Sequence, residues 1–133
     1  MDSLTETVLS VLRAGPPLRL AVLFGSRASN RARPDSDVDI AIIPRDASFQ
    51  FGDETKLSST LSKSLRQQID LVRADQASTL LQFRIAREGL MLISEPAYEW
   101  IRFRATAAAE HAEIVDMLDR TTKLFRQRPT RRM

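Results

Sequence analysis

The sequence predicts an α/β fold in which helices pack against one small β-sheet. Four short apolar segments, bounded by glycine, proline or polar residues, have the length and branched side chains typical of buried strands. Segments with helical spacing of apolar residues separate them, and such alternation is typical of this fold class. The chain has 133 residues, 43% hydrophobic and 28% charged, which suits a single compact domain.

The first elements are predicted to be a helix and then a buried strand. Residues 2–14 repeat apolar side chains at helical spacing, and the polar residues at 2–3 can form the N-cap. The glycine and prolines at 15–17 end that helix. The apolar run 18–24 then predicts a buried strand, which Gly25 ends.

The later elements follow the same pattern of apolar segments and chain-breaking residues. The strongest strand is VDIAII, which Pro44 ends, and Gly89 closes the fourth predicted helix. Asp75 is expected to cap that helix near its start. In order, the elements after Gly25 are a short helix from Ser26 that ends before Pro34, strand 38–43, helix 54–67, strand 69–73, helix 76–88, strand 90–94 and helix 98–126.

The long final helix has an apolar stripe along its length. Packing on the protein's own sheet explains such a stripe, and a surface for a partner protein is the alternative. The stripe consists of Trp100, Phe103, Ala107, Ile114, Leu118 and Phe125.

Residue counts restrict the kind of metal that the chain can bind. There is no cysteine and a single histidine, His111, so disulfides, thiolate zinc sites and histidine-rich sites are excluded. Carboxylates must then supply most ligands, and carboxylates favour hard ions such as magnesium or manganese.

The sequence predicts no membrane association and a cytoplasmic location. No apolar run approaches the roughly 20 residues that span a bilayer. The N-terminal segment lacks the basic start and long apolar stretch of a signal peptide.

Positive charge is concentrated at the C-terminus. The formal net charge is +3, and removing the six basic residues from position 120 onward leaves a body of net charge −3. A solvated helix end explains this tail, and contact with a nucleic acid or an acidic partner is the alternative. The six are Arg120, Lys123, Arg126, Arg128, Arg131 and Arg132.

Asp37 and Asp39 are the leading candidates for chemistry. Residues two apart in a strand point to the same face, so both carboxylates project from one side of an apolar strand. Close carboxylates repel each other unless a proton or a cation lies between them. We therefore expect this pair to hold a divalent metal ion, although two exposed aspartates on an edge strand would show the same spacing.

A turn before this strand has features of a phosphate site. Gly25 and Ser26 lie where the buried strand 18–24 meets a helix start, and free amides there favour an anion. Arg27 follows directly and is the best candidate among nearby arginines for paired hydrogen bonds to phosphate. Arg31 and Arg33 are weaker candidates of the same kind, and all of these residues could instead be ordinary turn and surface residues.

Asp70 is the candidate third acid. It lies near the start of the predicted strand 69–73. If that strand lies beside 38–43, its carboxylate approaches Asp37 and Asp39. Asp75 is the rival for this role.

Together these motifs resemble the nucleotidyltransferase superfamily that includes DNA polymerase β. The form GSRA…DSDVDI is most similar to the minimal nucleotidyltransferases, which are antitoxin partners of HEPN-domain toxins. The resemblance covers residues 18–73 and extends loosely through 87–89 and the last helix. It implies a small mixed sheet of the polymerase β type in a single domain, 1–133, made of a catalytic core (1–95), a long helix (96–126) and a basic tail (127–133).

The resemblance also implies roles for the site residues. Asp37 and Asp39 would bind two magnesium ions, with manganese possible, and Asp70 would hold the nucleophile-side metal and help deprotonate the attacking hydroxyl. Gly25 and Ser26 would hold the β- and γ-phosphates of ATP. Members often have glycine near position 30, and we expect the turn to tolerate the asparagine found there because asparagine adopts left-handed backbone more readily than most residues.

The implied reaction is transfer of AMP from ATP to a hydroxyl of a cognate HEPN RNase toxin, usually a tyrosine, which silences the toxin. Little of the length remains for a second substrate domain, so the acceptor is expected on another molecule, with the last helix and basic tail as contacts. An antitoxin that acts by binding alone is one alternative. A nucleotidyltransferase that modifies an antibiotic is another, and binding of nucleic acid by the tail stays open.

Overall fold

The computed structural model describes residues 2–28 and 37–127, without the side chains of Ser26, Arg27 and Gln127. The helices are α1 (Ser3–Ala14), α2 (Phe51–Leu65), α3 (Thr79–Glu88) and α4 (Glu99–Gln127), and the strands are β1 (Leu18–Phe24), β2 (Val38–Pro44), β3 (Ile69–Arg73) and β4 (Leu90–Ser94). The short helix expected after Gly25 is a 3-10 helix, Gly25–Ala28. All four strands lie where the sequence predicted them.

In the described part of the chain the strands form one mixed sheet, in the order β3-β2-β1-β4. β1 is antiparallel to both β2 and β4, whereas β2 and β3 are parallel. The end of β1 therefore meets the beginnings of β2 and β3 at one edge of the sheet. This arrangement confirms the predicted α/β class with one small mixed sheet.

The two faces of the sheet are covered by different helix pairs. β2 alternates between them, because Val38, Ile40 and Ile42 join the core under α1 and α2, while Ala41 and Ile43 join the core under α3. By the same alternation, odd-numbered β2 residues face α3 and α4. The α1/α2 core includes Val8, Leu12, Leu57 and Leu61, and the other core includes Val22, Phe24 and Ile85 with Trp100 and Phe103 against it.

Local hydrogen bonds set the helix starts. Asp2 caps α1, since its Oδ1 accepts the Thr5 N–H at 2.8 Å. α2 begins at Phe51, three residues before the predicted start, because Asp53 Oδ2 accepts the Gln50 N–H at 2.9 Å and closes an earlier turn.

The predicted cap of α3 is wrong. Asp75 binds the Arg73 guanidinium with two contacts of 2.9 and 2.7 Å, so it is not available to a helix end. Ser78 caps α3 instead, because its Oγ accepts the Leu81 N–H at 3.2 Å. The helix consequently starts at Thr79 rather than at Gln76.

Only the first part of the α4 stripe packs on the protein's own sheet. Trp100 and Phe103 are half-buried against the core and Ala107 is buried. Ile114, by contrast, is 38% exposed, and the more distal Leu118 and Phe125 are exposed as well. Packing within the protein itself therefore accounts for the first half of the predicted stripe, Trp100, Phe103 and Ala107. Within the described ranges, 2–28 and 37–127, no helix is both long and apolar enough to span a membrane.

Candidate active site

Two of the predicted acidic residues are register partners on neighbouring strands. Asp39 on β2 lies opposite Asp70 on the parallel strand β3, and Phe24 at the end of β1 lies opposite Asp39 on the other side. The two carboxyl groups are therefore neighbours, and the charge of Asp70 acts on Asp39. β3 thus lies beside β2, as the expectation for Asp70 required.

Asp39 is half-buried, whereas Asp37 and Asp70 are exposed. Burial is the main cause that raises the pKa of Asp39 above its ordinary value, followed by the negative charge of Asp70. The charge of Asp37, which is exposed just before β2, raises that pKa further, and the charge of Arg84 lowers it. The charges of Asp37 and Asp70 therefore both act on Asp39 at this edge of the sheet.

Gly25 allows the close approach of the turn to Asp39. Its φ is +73°, a left-handed conformation that residues with a Cβ rarely adopt. A Cβ built at this position would lie 2.2 Å from Asp39 Oδ2 and 3.1 Å from Asp39 Cγ. Glycine is therefore required here both by the backbone conformation and by contact with the carboxylate.

Part of the predicted phosphate site lies outside the described residues. This applies to the side chains of Ser26 and Arg27, and to Asn30, Arg31 and Arg33. The backbone of Ser26 and Arg27 belongs to the 3-10 helix that starts at Gly25.

Arg84 on α3 is a site residue that sequence reasoning missed. Its guanidinium Cζ lies 5.6 Å from the centroid of the Phe24 ring, and its charge acts on Asp39. The sequence does not distinguish Arg84 from Arg87, because it does not show which side of α3 faces the end of β1. The packing of α3 on the sheet determines that side.

The donor atoms at this edge suit a hard divalent ion. Asp39 and Asp70 offer carboxylates on neighbouring strands. His111 lies elsewhere, stacked on the Phe83 ring at a centroid distance of 3.6 Å, between α3 and α4. Among the described side chains, no three carboxylate or imidazole groups already lie close enough to hold a metal ion. A site with three carboxylates therefore requires the side chains of Asp37, Asp39 and Asp70 to lie closer together than they do in this structure.

Sequence comparison identifies the family. Residues 6–97 match the family model described as polymerase beta, nucleotidyltransferase. The chain is similar to a protein adenylyltransferase MntA from Aphanizomenon flos-aquae, with 28% identity over 84% of this chain and 80% of the relative. It is also similar to a protein adenylyltransferase MntA from Shewanella oneidensis, with 32% identity over 69% of this chain and 67% of that relative.

Structural comparison gives the same family. A toxin–antitoxin crystal structure with AMP-PNP contains a chain with a TM-score of 0.74 and 25% identity, covering 89% of this chain and 98% of that one. The fold also matches a chain in a complex of tri-AMPylated Shewanella oneidensis HEPN toxin with MNT antitoxin, with a TM-score of 0.65 and 24% identity over 90% and 96% of the two chains. The family that the GSRA…DSDVDI motif suggested is confirmed, and the chain belongs to the polymerase beta nucleotidyltransferases, the family that includes the MntA protein adenylyltransferases.

Proposed function

We propose that this protein transfers AMP from ATP to a hydroxyl of a cognate HEPN toxin and thereby neutralises the toxin. The observation that carries the proposal is the position of Asp39, which lies between the Gly25 turn and Asp70 at the edge of a nucleotidyltransferase sheet. The MntA relatives named as protein adenylyltransferases support AMP as the transferred group. The toxin–antitoxin complexes with the same fold support a toxin as the acceptor.

Asp37, Asp39 and Asp70 would hold two magnesium ions, or manganese in their place. Bound ions would offset the negative charge of the triphosphate and stabilise the entering and leaving oxygens. The raised pKa of Asp39 supports this assignment, because adjacent carboxylates are costly at neutral pH until a cation joins them.

The reaction needs one proton acceptor and one phosphate-binding turn. The acceptor oxygen, which we assign to a tyrosine, forms a bond to the α-phosphorus of ATP. The bond from that phosphorus to the bridging oxygen breaks, and pyrophosphate leaves. Asp70 is exposed and would take the hydroxyl proton. From their sequence motif, we assign Gly25, Ser26 and Arg27 to the phosphates. Because ATP is the substrate, we place the reaction in the cytoplasm.

A binding antitoxin without catalysis is the second candidate. The observation in its favour is the distal part of α4, where Ile114, Leu118 and Phe125 are exposed in the chain alone. Such a surface can occlude a partner without any transfer of AMP.

Protection of cells that produce the toxin separates these two functions. We expect the double variant Asp37→Asn with Asp39→Asn, at normal expression, to lose protection while still binding the toxin. A control with Asp46→Asn and Asp75→Asn removes as many carboxylates at the opposite ends of β2 and β3, and should protect fully. Full protection by the Asp37/Asp39 double variant would favour neutralisation by binding.

A further inference from the structure

The guanidinium of Arg84 lies over the ring of Phe24, the residue that leads into the Gly25 turn. Arg84 Cζ is 5.6 Å from the centroid of the Phe24 ring. Phe24 is the last residue of β1, directly precedes Gly25, and is the register partner of Asp39. The guanidinium is thus on the same side of the sheet as Asp39 and one residue from the turn.

The packing of α3 fixes the direction of Arg84. Ile85, its neighbour, is fully buried, and Gln82 Nε2 donates to the Ala74 carbonyl at 2.8 Å near the start of the helix. At the other end, Gly89 packs closely on β1, because a Cβ built there would lie 2.4 Å from Val22 Cγ1. Because both ends are held, α3 cannot turn Arg84 away from β1 without breaking these contacts.

Arg84 is not held by a strong ion pair and can therefore bind an anionic ligand. Its Cζ lies over the ring of Phe24, the register partner of Asp39. Its other partner is Glu88, with Nε 3.1 Å from Oε2, in a pair whose side chains are 51% and 42% exposed. Exposed pairs one helical turn apart are weak, so an anionic ligand can displace Glu88.

A nucleoside triphosphate brings several negative charges to an edge that already carries three carboxylates. A guanidinium fork offers paired, charge-assisted hydrogen bonds to phosphate oxygens. We propose that Arg84 is a nucleotide-binding residue that contacts the β- or γ-phosphate at the Gly25 turn. The inference rests on the proposed function for the identity of this substrate.

Binding of AMP-PNP and of AMP, each with magnesium, tests the proposal. The dissociation constants can be measured by calorimetry on the full chain. Arg84→Gln should weaken AMP-PNP binding about tenfold or more, which is typical of losing a hydrogen bond to a charged group. It should leave AMP binding unchanged within about twofold, because AMP lacks both phosphates. Arg84→Lys should recover part of the loss, since it restores the charge without the fork.

Arg104→Gln is the matched control. Arg104 Cζ lies 5.5 Å from the Trp100 ring, so this variant removes the same kind of cation–π contact, but Arg104 is not among the charges that act on Asp39. It should not change AMP-PNP binding. An equal loss for AMP-PNP and AMP in Arg84→Gln, no loss at all, or the same loss in Arg104→Gln would overturn the proposal.

These outcomes are distinguishable from failure of the proposed function. Binding of AMP-PNP that depends on Arg84, without AMP transfer to the toxin, would leave the Arg84 assignment intact and refute the transferase assignment. If the unchanged protein transfers AMP but Arg84→Gln does not weaken AMP-PNP binding, only the Arg84 assignment would be refuted. No binding of AMP-PNP by the unchanged protein would refute both.

Discussion

Replacing Gly25 by alanine tests whether the turn must press against Asp39. The backbone at this position has φ +73°, and left-handed backbone costs an alanine about 1–2 kcal/mol. The added Cβ would also lie 2.2 Å from Asp39 Oδ2, so the carboxyl group must move away from its position beside Asp70. We expect a total loss of about 1–3 kcal/mol in the free energy of unfolding.

The expected loss of activity is larger than the loss of stability. A displaced Asp39 carboxylate misplaces the site by about 1 Å or more, and such misplacement can cost about 100-fold in rate. Thermal unfolding should show a midpoint lower by about 3–5 °C per kcal/mol for a chain of this size. AMP transfer should be measured well below that midpoint, so that unfolding does not contribute to the loss.

Two other glycines serve as controls for Gly25→Ala. A Cβ at Gly52 would meet no atom within 4 Å, so Gly52→Ala in α2 should be neutral or stabilise by about 0.5–1 kcal/mol. A Cβ at Gly89 would lie 2.4 Å from both the Ile85 carbonyl oxygen and Val22 Cγ1, so Gly89→Ala should destabilise without contacting an acid. Unchanged unfolding together with transfer within about threefold of the parent in Gly25→Ala would refute the reasoning.

Two further variants test the electrostatics. Because burial and Asp70 raise the pKa of Asp39 from 3.8, protonation of this group stabilises the fold below pH 3.8, and that contribution is lost as the pH rises through the raised value. Asp39→Asn should therefore raise the unfolding temperature of the metal-free protein, by an amount that grows with pH. Glu99 is only 3% exposed and pairs with Arg19 at 3.3 Å and Arg102 at 2.9 Å. Glu99→Gln should cost about 2 kcal/mol, less than the ~3–5 kcal/mol of a fully buried pair because both arginines are partly exposed.

Each of these variants has its own contradicting result. If the difference in unfolding temperature between the parent and Asp39→Asn stayed constant from pH 3.5 to pH 7, the raised pKa assigned to Asp39 would be wrong. For Glu99, the control is Glu88→Gln, which breaks an exposed pair and should change stability by less than about 0.5 kcal/mol. Equal effects of Glu99→Gln and Glu88→Gln would refute the distinction made by burial.

The strands were predictable because their local signals agree. Each is a short apolar run that a glycine, a proline or a polar segment ends, as at Leu18–Phe24 and Ile69–Arg73. The helix starts were less predictable, because several polar residues compete to cap each helix. Asp75 looked like a cap, but its pairing with Arg73 depends on the tertiary position of β3, and Ser78 caps α3 instead.

The acidic group is only partly predictable from spacing, and its surroundings are not predictable. Strand spacing predicted Asp37 and Asp39 on one face, but β2 begins at Val38, so Asp37 lies before the strand. The pairing of Asp39 with Asp70 depends on the sheet order. Arg84 reaches the site only through the docking of α3, for which a single sequence has no pattern. The division of the chain into core, helix and tail at 1–95, 96–126 and 127–133 stays a prediction.

The intact mass of the toxin is the most direct test of the central claim. A cognate HEPN toxin should be incubated with this protein, ATP and magnesium, and its intact mass then measured by mass spectrometry. We expect the mass to increase by one or more AMP units, and fragmentation should locate the modification on a tyrosine. Asp37→Asn or Asp39→Asn should abolish the increase. An unmodified toxin that is nevertheless bound and inhibited would contradict the assignment of Asp37, Asp39 and Asp70 to AMP transfer.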